Sequence, residues 1–367
     1  MTDPRWFSSL RLWLFMVLAG LMGGLTACTA QSDTADGDRT DPYVQFTQAV
    51  TAVEPLVSPE LDALARSQRE VFGQSSISQN RVSLPNVVPL EVEGNLAIAT
   101  SPELLPLNEQ MYERFIQGGY QGIMDINAVS SSKAIRQFCQ QNASGILTIN
   151  RPMTPEEMAS CQAQNRSPVG LPFGKDALVL VVNSQNEFLS GVTLGTLRAI
   201  LTQNTWSSLK VGWPQRPIVR HLIGPDSDTV NVLATTLFEG TNAIAPTDNT
   251  KYFDYAEPMI QSLSTTSDGV GILSYSTFRR SSSVFKSIPI NGITASRDTI
   301  AQGTYPLQQT LYLYVDQKQV QENSPVTDWV NFYLGHIGDV MPEVALLPFS
   351  GDPLKTSVSQ WSALTQN

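Results

Sequence analysis

Across residues 96–157, apolar runs alternate with hydroxyl-rich turns and stretches of helical periodicity. Residues 96–101 (LAIATS) form a strand-like run, and apolar residues then recur at helical spacing through LNEQMYERFIQGG. The runs at 123–129 and 146–149 predict two further strands. Strands that alternate with helices pack as a largely parallel sheet covered by helices. The alternation therefore predicts an α/β fold.

Helix-start signals support this prediction. Thr154-Pro155-Glu156-Glu157 combines a capping threonine, a proline at the first helical position and acids near the positive end of the helix dipole. Residues 130–132 (SSS) precede the helical sequence KAIRQFCQQ. Ligands of α/β sheets bind where strands end and helix N-termini converge, so we expect such starts to hold any binding site.

A second group of elements follows. Residues 176–182 (DALVLVV) are apolar enough for a strand that is buried on both faces. A strand at 218–223 then leads into GPDSDT and an apolar helical run. Ser227 and Thr229 lie at the start of this helix, where unpaired N–H groups can bind an anion. By itself this stretch is more typical of an ordinary N-cap than of a binding site.

Charge limits the classes of partner. The chain has 367 residues, enough for two core-bearing lobes, and a formal net charge of −10. General binders of nucleic acids or anionic membranes need a basic face, so we expect neither activity. A local set of N–H donors can still bind a small anion within an acidic protein.

Histidine and cysteine are scarce. The only histidines, His221 and His336, lie far apart, and the three cysteines lack zinc-ligand spacing. No nucleophile and base recur at a spacing typical of catalysis. We therefore expect no metal site, no cofactor and no enzymatic activity, with His221 packed or at the surface.

The N-terminus carries an export signal. Arg5 and Arg11 mark a short basic region, and the apolar segment that follows, residues 12–24, is too short to span a bilayer comfortably. It ends in Leu-Thr-Ala-Cys28, which resembles a bacterial lipobox. We expect residues 1–27 to be a signal peptide and Cys28 to carry lipid, which places the protein on the periplasmic face of the membrane or the cell surface. A plain signal peptide with a chance cysteine, or a membrane anchor, is the alternative.

Export bears on the two other cysteines. If Cys28 is lipidated, Cys139 and Cys161 remain as a pair, either bridged or as two buried thiols. An oxidising compartment favours the bridge, which would stabilise the fold by about 3 kcal/mol. Before this pair, residues 29–42 have the composition of a flexible tether, and residues 43–72 predict two short amphipathic helices.

Several fragments occur in an order that is similar to one family. They are Phe138-Cys139, Asn150-Arg151-Pro152-Met153, Glu156-Glu157 with Cys161, DALVLVVN, GPDSDT, DGVGILSYS and TYPLQQTLYLYV. Over residues 90–350 the chain resembles the phosphate-binding subunits of bacterial ABC importers. No single fragment identifies the family, but the order that the fragments share with it is strong support for the resemblance.

The resemblance implies a type II periplasmic-binding-protein fold, in which two α/β lobes with mixed sheets are joined by crossing strands. The expected regions are a signal peptide (1–27), a tether and helical extension (28–89), lobe 1 (90–175), lobe 2 (176–300) and a hinge strand with a return to lobe 1 (301–367). The resemblance also implies a monomer that passes phosphate, or a related small anion, to permease and ATPase subunits.

In the family, four segments hold the oxyanion by N–H groups and hydroxyls. The matching residues here are Ser101; Ser130, Ser131 and Ser132; Asn150; and Ser227, Asp228 and Thr229. Each has a simpler alternative, which is a helix cap for the serines and a turn for Asn150.

Some positions depart from the family. Pro102 removes an N–H donor, Glu103 and Asp228 add negative charge, and Ile223 stands where many relatives have arginine. These changes suggest an alternative function: a binding, sensing or structural lipoprotein whose phosphate site is degenerate or takes a different ligand. If Glu103 and Asp228 point to solvent, phosphate remains the expected ligand.

Basic residues near the site are few. Lys133, Arg151 and, less directly, Arg220 could supply positive charge. We expect Arg151 to form a structural ion pair rather than a ligand contact.

Overall fold

A computed structural model describes residues 84–140, 145–241, 243–244, 247–322, 324–349 and 351–365. The predicted signal peptide, Cys28, the tether and the helices at 43–72 lie outside these ranges. Within the described ranges, no helix has both the length and the apolar character needed to cross a membrane.

The described helices follow one another along the whole fold. They are α1 (Leu105–Gln117), α2 (Ser131–Cys139), α3 (Pro155–Ala163), α4 (Leu194–Thr202), α5 (Asp228–Leu237), α6 (Ala256–Ser264), α7 (Tyr275–Arg280), α8 (Arg297–Ala301), α9 (Gln317–Glu322), α10 (Ser324–Glu343) and α11 (Asp352–Thr365).

The described strands lie between them. They are β1 (Leu96–Thr100), β2 (Met124–Ala128), β3 (Ile146–Ile149), β4 (Pro168–Asn183), β5 (Val219–Ile223), β6 (Thr250–Phe253), β7 (Gly269–Ser274), β8 (Phe285–Ser287), β9 (Gln308–Asp316) and β10 (Leu347–Pro348).

The strands pair in the order β2-β1-β3-β9-β4-β7-β5-β6. Parallel pairs lie on both sides, with β1 between β2 and β3, and β5 between β6 and β7. Strand β4 joins the two sides because its first part pairs antiparallel with β9 and its last residues pair with β7 and β8. This mixed arrangement with a crossing strand confirms the predicted fold class.

Two large apolar cores lie on either side of the crossing. One contains Phe115, Phe173 and Trp329, and the other contains residues 177–182 together with Trp206. Trp329 and Tyr333 of α10 are fully buried. Strand β4 contributes side chains to both cores, so the two sides share one continuous backbone element.

A smaller core lies under α2 and α3 and contains the disulfide. Cys139 and Cys161 are joined there across 22 positions, which confirms the predicted bridge. A loop of this length corresponds to about 3 kcal/mol in the chain-entropy account. The bridge thus ties the end of α2 to α3, next to the candidate site.

Strand β4 is longer than the sequence predicts. It begins at Pro168, not at Asp176, and its pairing with β9 shifts between Pro172 and Gly174. The prolines and glycines in PVGLPFGK are typical of a loop. In the fold, however, Gly170 lies against the ring of Tyr314, and a Cβ added at position 170 would lie only 2.6 Å from that ring. The segment is a strand because it pairs and packs closely with β9.

Candidate functional site

The site is built on the carboxyl ends of β1 and β3. Thr100 and Thr148 are neighbours in the parallel register, and Asn108 of α1 donates to their Oγ1 atoms at 2.9 and 2.8 Å. The same amide donates to the Leu104 carbonyl at 3.0 Å. Asn108 therefore fixes the start of α1 against both strand ends.

Ser101 lies directly after β1 but faces the protein interior. Its N–H donates to the Thr148 carbonyl at 2.9 Å, and its buried Oγ bonds to none of the described residues. The cavity described below is lined by its neighbours Pro102 and Glu103 rather than by Ser101. Its predicted ligand role has no direct geometric support.

The three serines before α2 have separate roles. Ser130 is the N-cap residue and lines the cavity, although its side chain forms no capping bond within the described chain. Ser131 donates its N–H and its Oγ to Asp228 Oδ2 at 3.1 and 2.7 Å. Ser131 Oγ also lies 3.2 Å from Asn150 Oδ1. Ser131 thus holds one carboxyl oxygen of Asp228 with two donors.

Arg151 lies beside this contact and forms the expected structural ion pair. Its terminal nitrogens bond to both carboxylate oxygens of Glu157 at 2.8 and 2.7 Å, and one also reaches Ser132 Oγ at 3.0 Å. Its Nε lies 3.9 Å from Asp228 Oδ1. Glu157 also completes the capping box with Thr154 at the start of α3, as the sequence predicts. Arg151 therefore supports Asp228 while held by Glu157.

The start of α5 follows β5. Ser227 is its N-cap, with Oγ accepting from the Val230 N–H at 3.3 Å and donating to the Ile223 carbonyl at 3.2 Å. Thr229 is buried in the first turn of α5. The simpler interpretation of Ser227 as a cap is correct, and Ser227 also lines the cavity.

Asp228 is almost fully buried against α2, so the alternative that it points to solvent is wrong. Its Oδ1 accepts no hydrogen bond from any described residue. Burial raises the pKa of Asp228, while the Ser131 bonds and the charge of Arg151 oppose that shift. The α2 and α5 helix starts therefore meet through this one carboxylate.

Glu103 is half-buried, and its Oε2 is buried with no hydrogen-bond partner among the described residues. Burial, followed by the negative charge of Asp228, raises the pKa of Glu103 to about 8. Its carboxyl group is consequently protonated at neutral pH and can donate a hydrogen bond. The alternative that Glu103 points to solvent is also wrong.

A cavity of about 280 Å³ lies between these elements. Its lining residues are Pro102, Glu103, Ser130, Ile223, Gly224, Pro225, Asp226, Ser227, Asp228 and Asp254. Four of them are acidic. Sequence reasoning missed Asp254 because the short strand β6 went unpredicted, although β6 pairs with β5 and places Asp254 beside Gly224.

The other basic and titratable candidates serve the fold. Arg220 is fully buried and donates Nε to the Ile200 carbonyl at 2.7 Å, with a second nitrogen on the Gln203 carbonyl at the end of α4. His221 is buried and stacks on Phe253, and burial lowers its pKa to about 4. Among the described residues, no three His, Cys, Asp or Glu side chains are grouped to hold a metal ion.

A sequence model of the PBP superfamily domain matches residues 83–336. Protein SphX of Synechocystis sp. is 25% identical over 272 residues, which is 71% of this chain and 80% of that protein. The phosphate-binding protein PstS of Staphylococcus aureus is 22% identical over 269 residues, covering 71% of this chain and 79% of that one.

Solved structures show the same fold. A putative phosphate ABC transporter substrate-binding protein from Clostridium perfringens, with bound phosphate, aligns with a TM-score of 0.60 and 18% identity over 70% of this chain and all of that one. A phosphate transport receptor from Vibrio cholerae aligns with a TM-score of 0.57 and 18% identity over 69% of this chain and 99% of that one.

Proposed function

The chain belongs to the PBP superfamily, and on that basis we propose that it is a solute-binding protein for phosphate or a related small oxyanion. The ligand would lie in the cleft between lobe 1, at the start of α2, and lobe 2, at the start of α5. The similar proteins whose names specify phosphate support this choice of ligand.

The contact between Ser131 and Asp228 carries the proposal. A backbone N–H and a hydroxyl at the start of α2 hold a carboxylate oxygen at 3.1 and 2.7 Å. Phosphate presents the same kind of charged acceptor, and helix N-termini bind it through such donors. Ser130 would add a hydroxyl from the start of α2, and protonated Glu103 would add a further donor. Ser227 would contribute from the start of α5 after its hydroxyl hydrogen leaves the Ile223 carbonyl.

Export and anchoring complete the proposed role. Cys28 would carry the lipid, and closure of the lobes over the ligand would present it to a permease with its ATPase. Mass spectrometry of the mature N-terminus tests the anchor, because a lipid mass on Cys28 is expected and an unmodified Cys28 would reject it. Neighbouring genes for permease and ATPase subunits would support transport.

A second candidate function is a binding, sensing or structural lipoprotein that does not feed a transporter. It is favoured by Asp228, whose carboxylate already uses both Ser131 donors, and by the acidic cavity lining. In that role the protein would have little affinity for phosphate at physiological concentrations.

Calorimetry with phosphate at neutral pH distinguishes the two functions. Submicromolar binding is expected of an importer subunit, and absence of heat or of a thermal shift would reject it. Ser131→Ala should weaken binding by about 10- to 100-fold, because it removes a charge-assisted hydrogen bond. Ser160→Ala, on the exposed face of α3, is the matched control and should bind like the unmodified protein.

A further inference from the structure

We infer that Asp228 is the specificity-determining residue of this site, because its carboxylate occupies the position of the oxyanion and an external oxyanion binds only by displacing it. The inference rests on the proposed function, since it concerns the same donors. The proposed function does not include the further prediction made here, which is that the site contains its own competing anion.

Both donors of Ser131 at the start of α2 are used. Ser131 has one N–H and one hydroxyl hydrogen, and both are within hydrogen-bond distance of Asp228 Oδ2. Asp228 Oδ2 therefore takes the place that an oxyanion oxygen would occupy at this helix start. An external oxyanion can reach these two donors only after the Asp228 side chain leaves.

The neighbouring guanidinium is also engaged. The terminal nitrogens of Arg151 bond to Glu157 and Ser132, and its remaining Nε faces Asp228 Oδ1 at 3.9 Å. Asp228 Oδ1 is buried at the cavity and accepts no hydrogen bond from the described part of the chain. Glu157 thus holds the terminal nitrogens of Arg151, and Asp228 faces the nitrogen that remains.

Asp228 Oδ2 is the hydrogen-bond acceptor of the carboxyl pair, because it accepts both Ser131 donors. Burial and the charge of Asp228 raise the pKa of Glu103 to about 8, so Glu103 keeps its proton at neutral pH. Asp228 has the two Ser131 bonds and Arg151 to stabilise its ionised form, whereas Glu103 Oε2 has no hydrogen bond from any described residue. The position next to Ser131 is therefore filled by an acceptor oxygen of the chain itself.

The contact also joins the two sides of the fold. Asp228 starts α5, which packs beside β5 and β7, whereas Ser131 starts α2, which packs on β1 and β3. Ligand-free protein would therefore hold the two helix starts together without an external anion. Phosphate must break this internal contact. Its apparent affinity is therefore the intrinsic affinity multiplied by the fraction of molecules in which Asp228 is displaced.

The test is calorimetry with inorganic phosphate at pH 7 on the folded, disulfide-bonded protein. Asp228→Gly should bind phosphate at least about 100-fold more tightly than the unmodified protein, because two charge-assisted hydrogen bonds become available. Asp228→Asn keeps the shape of the side chain and removes its charge, so it should show a smaller increase in phosphate affinity. It replaces Asp228→Gly in the test if that variant does not fold. Ser160→Ala is the control.

The outcomes separate the two proposals. If the unmodified protein binds phosphate at submicromolar concentration and neither Asp228 variant binds more tightly, the competing-anion inference is wrong and the proposed function stands. If the unmodified protein binds phosphate and the Asp228 variants bind it at least about 100-fold more tightly, both proposals are supported. If only the variants bind, the competing-anion inference is supported and the phosphate-importer function is rejected. If folded Asp228→Gly and Asp228→Asn both fail to bind phosphate, the site is no phosphate site and both proposals fail.

Discussion

At the scale of single residues, burial changes the chemistry of two carboxyl groups. Glu103 and Asp228 look in the sequence like charges that would repel an oxyanion, but in the fold the pKa of Glu103 is raised to about 8 and Asp228 accepts two hydrogen bonds from Ser131. Burial raises the pKa of a carboxyl group because it disfavours the charged form. The ligand chemistry of the cavity therefore depends on protonation as much as on residue type.

The raised pKa of Glu103 predicts a pH-dependent stability. Its pKa is about 8 in the folded protein and near 4.5 when exposed, so the folded state binds more protons between these values. The free energy of unfolding should fall as pH rises from about 4.5 to 8 through this group. In Glu103→Gln, which cannot ionise, this part of the decrease should be absent.

Urea unfolding at pH 5 and pH 8 measures the effect. Glu109→Gln, on an exposed position of α1, is the control and should keep the pH dependence of the unmodified protein. An unchanged pH dependence in Glu103→Gln would show that Glu103 ionises freely in the folded state.

At the scale of elements, local capping explains where the site helices begin. The box between Thr154 and Glu157 starts α3, and Glu157 extends this role by holding Arg151 next to Asp228. The sequence predicted this helix start correctly because its signals lie within four residues. The same signals do not reveal which partner Glu157 binds across the site.

Thr154→Ala should destabilise the protein by about 1 kcal/mol, because it leaves the Glu157 N–H without its cap. The midpoint of urea unfolding measures this loss. Thr356→Ala, at an exposed position of α11, is the matched control and should change stability by less than about 0.5 kcal/mol. Equal effects of the two substitutions would contradict a capping role.

At the scale of the whole molecule, β4 couples the two cores. Leu171 and Phe173 belong to one core, and residues 177–182 of the same strand belong to the other. Loss of packing in one core should therefore destabilise the other through their shared strand.

Leu180→Ala tests this coupling, since Leu180 is fully buried in the core that contains Trp206. We expect a loss of about 2–5 kcal/mol and a single unfolding transition. Leu180→Ala should shift the midpoint of unfolding by the same amount in a protein that keeps Trp206 as its reporter and in one that keeps Trp329. A shift seen by Trp206 alone would show that the two cores unfold independently.

The sequence by itself determined the fold class and the starts of α2, α3 and α5, and it favoured a bridge between Cys139 and Cys161 over two free thiols. These features follow from apolar periodicity, caps and cysteine pairing, which are properties of short stretches or of counts. Strand β6 and the first half of β4 escaped prediction because their polar, proline and glycine residues form strands only by pairing with β5 and β9.

Only the tertiary structure decided what those helix starts bind. Ser131 and Asp228 are 97 positions apart, and no local pattern indicates that a carboxylate of α5 satisfies the donors of α2. The protonation of Glu103 likewise arises from burial beside Asp228, which the fold brings close. The physical reason is that desolvation and charge pairing act through space, whereas sequence patterns report only what neighbours along the chain can form.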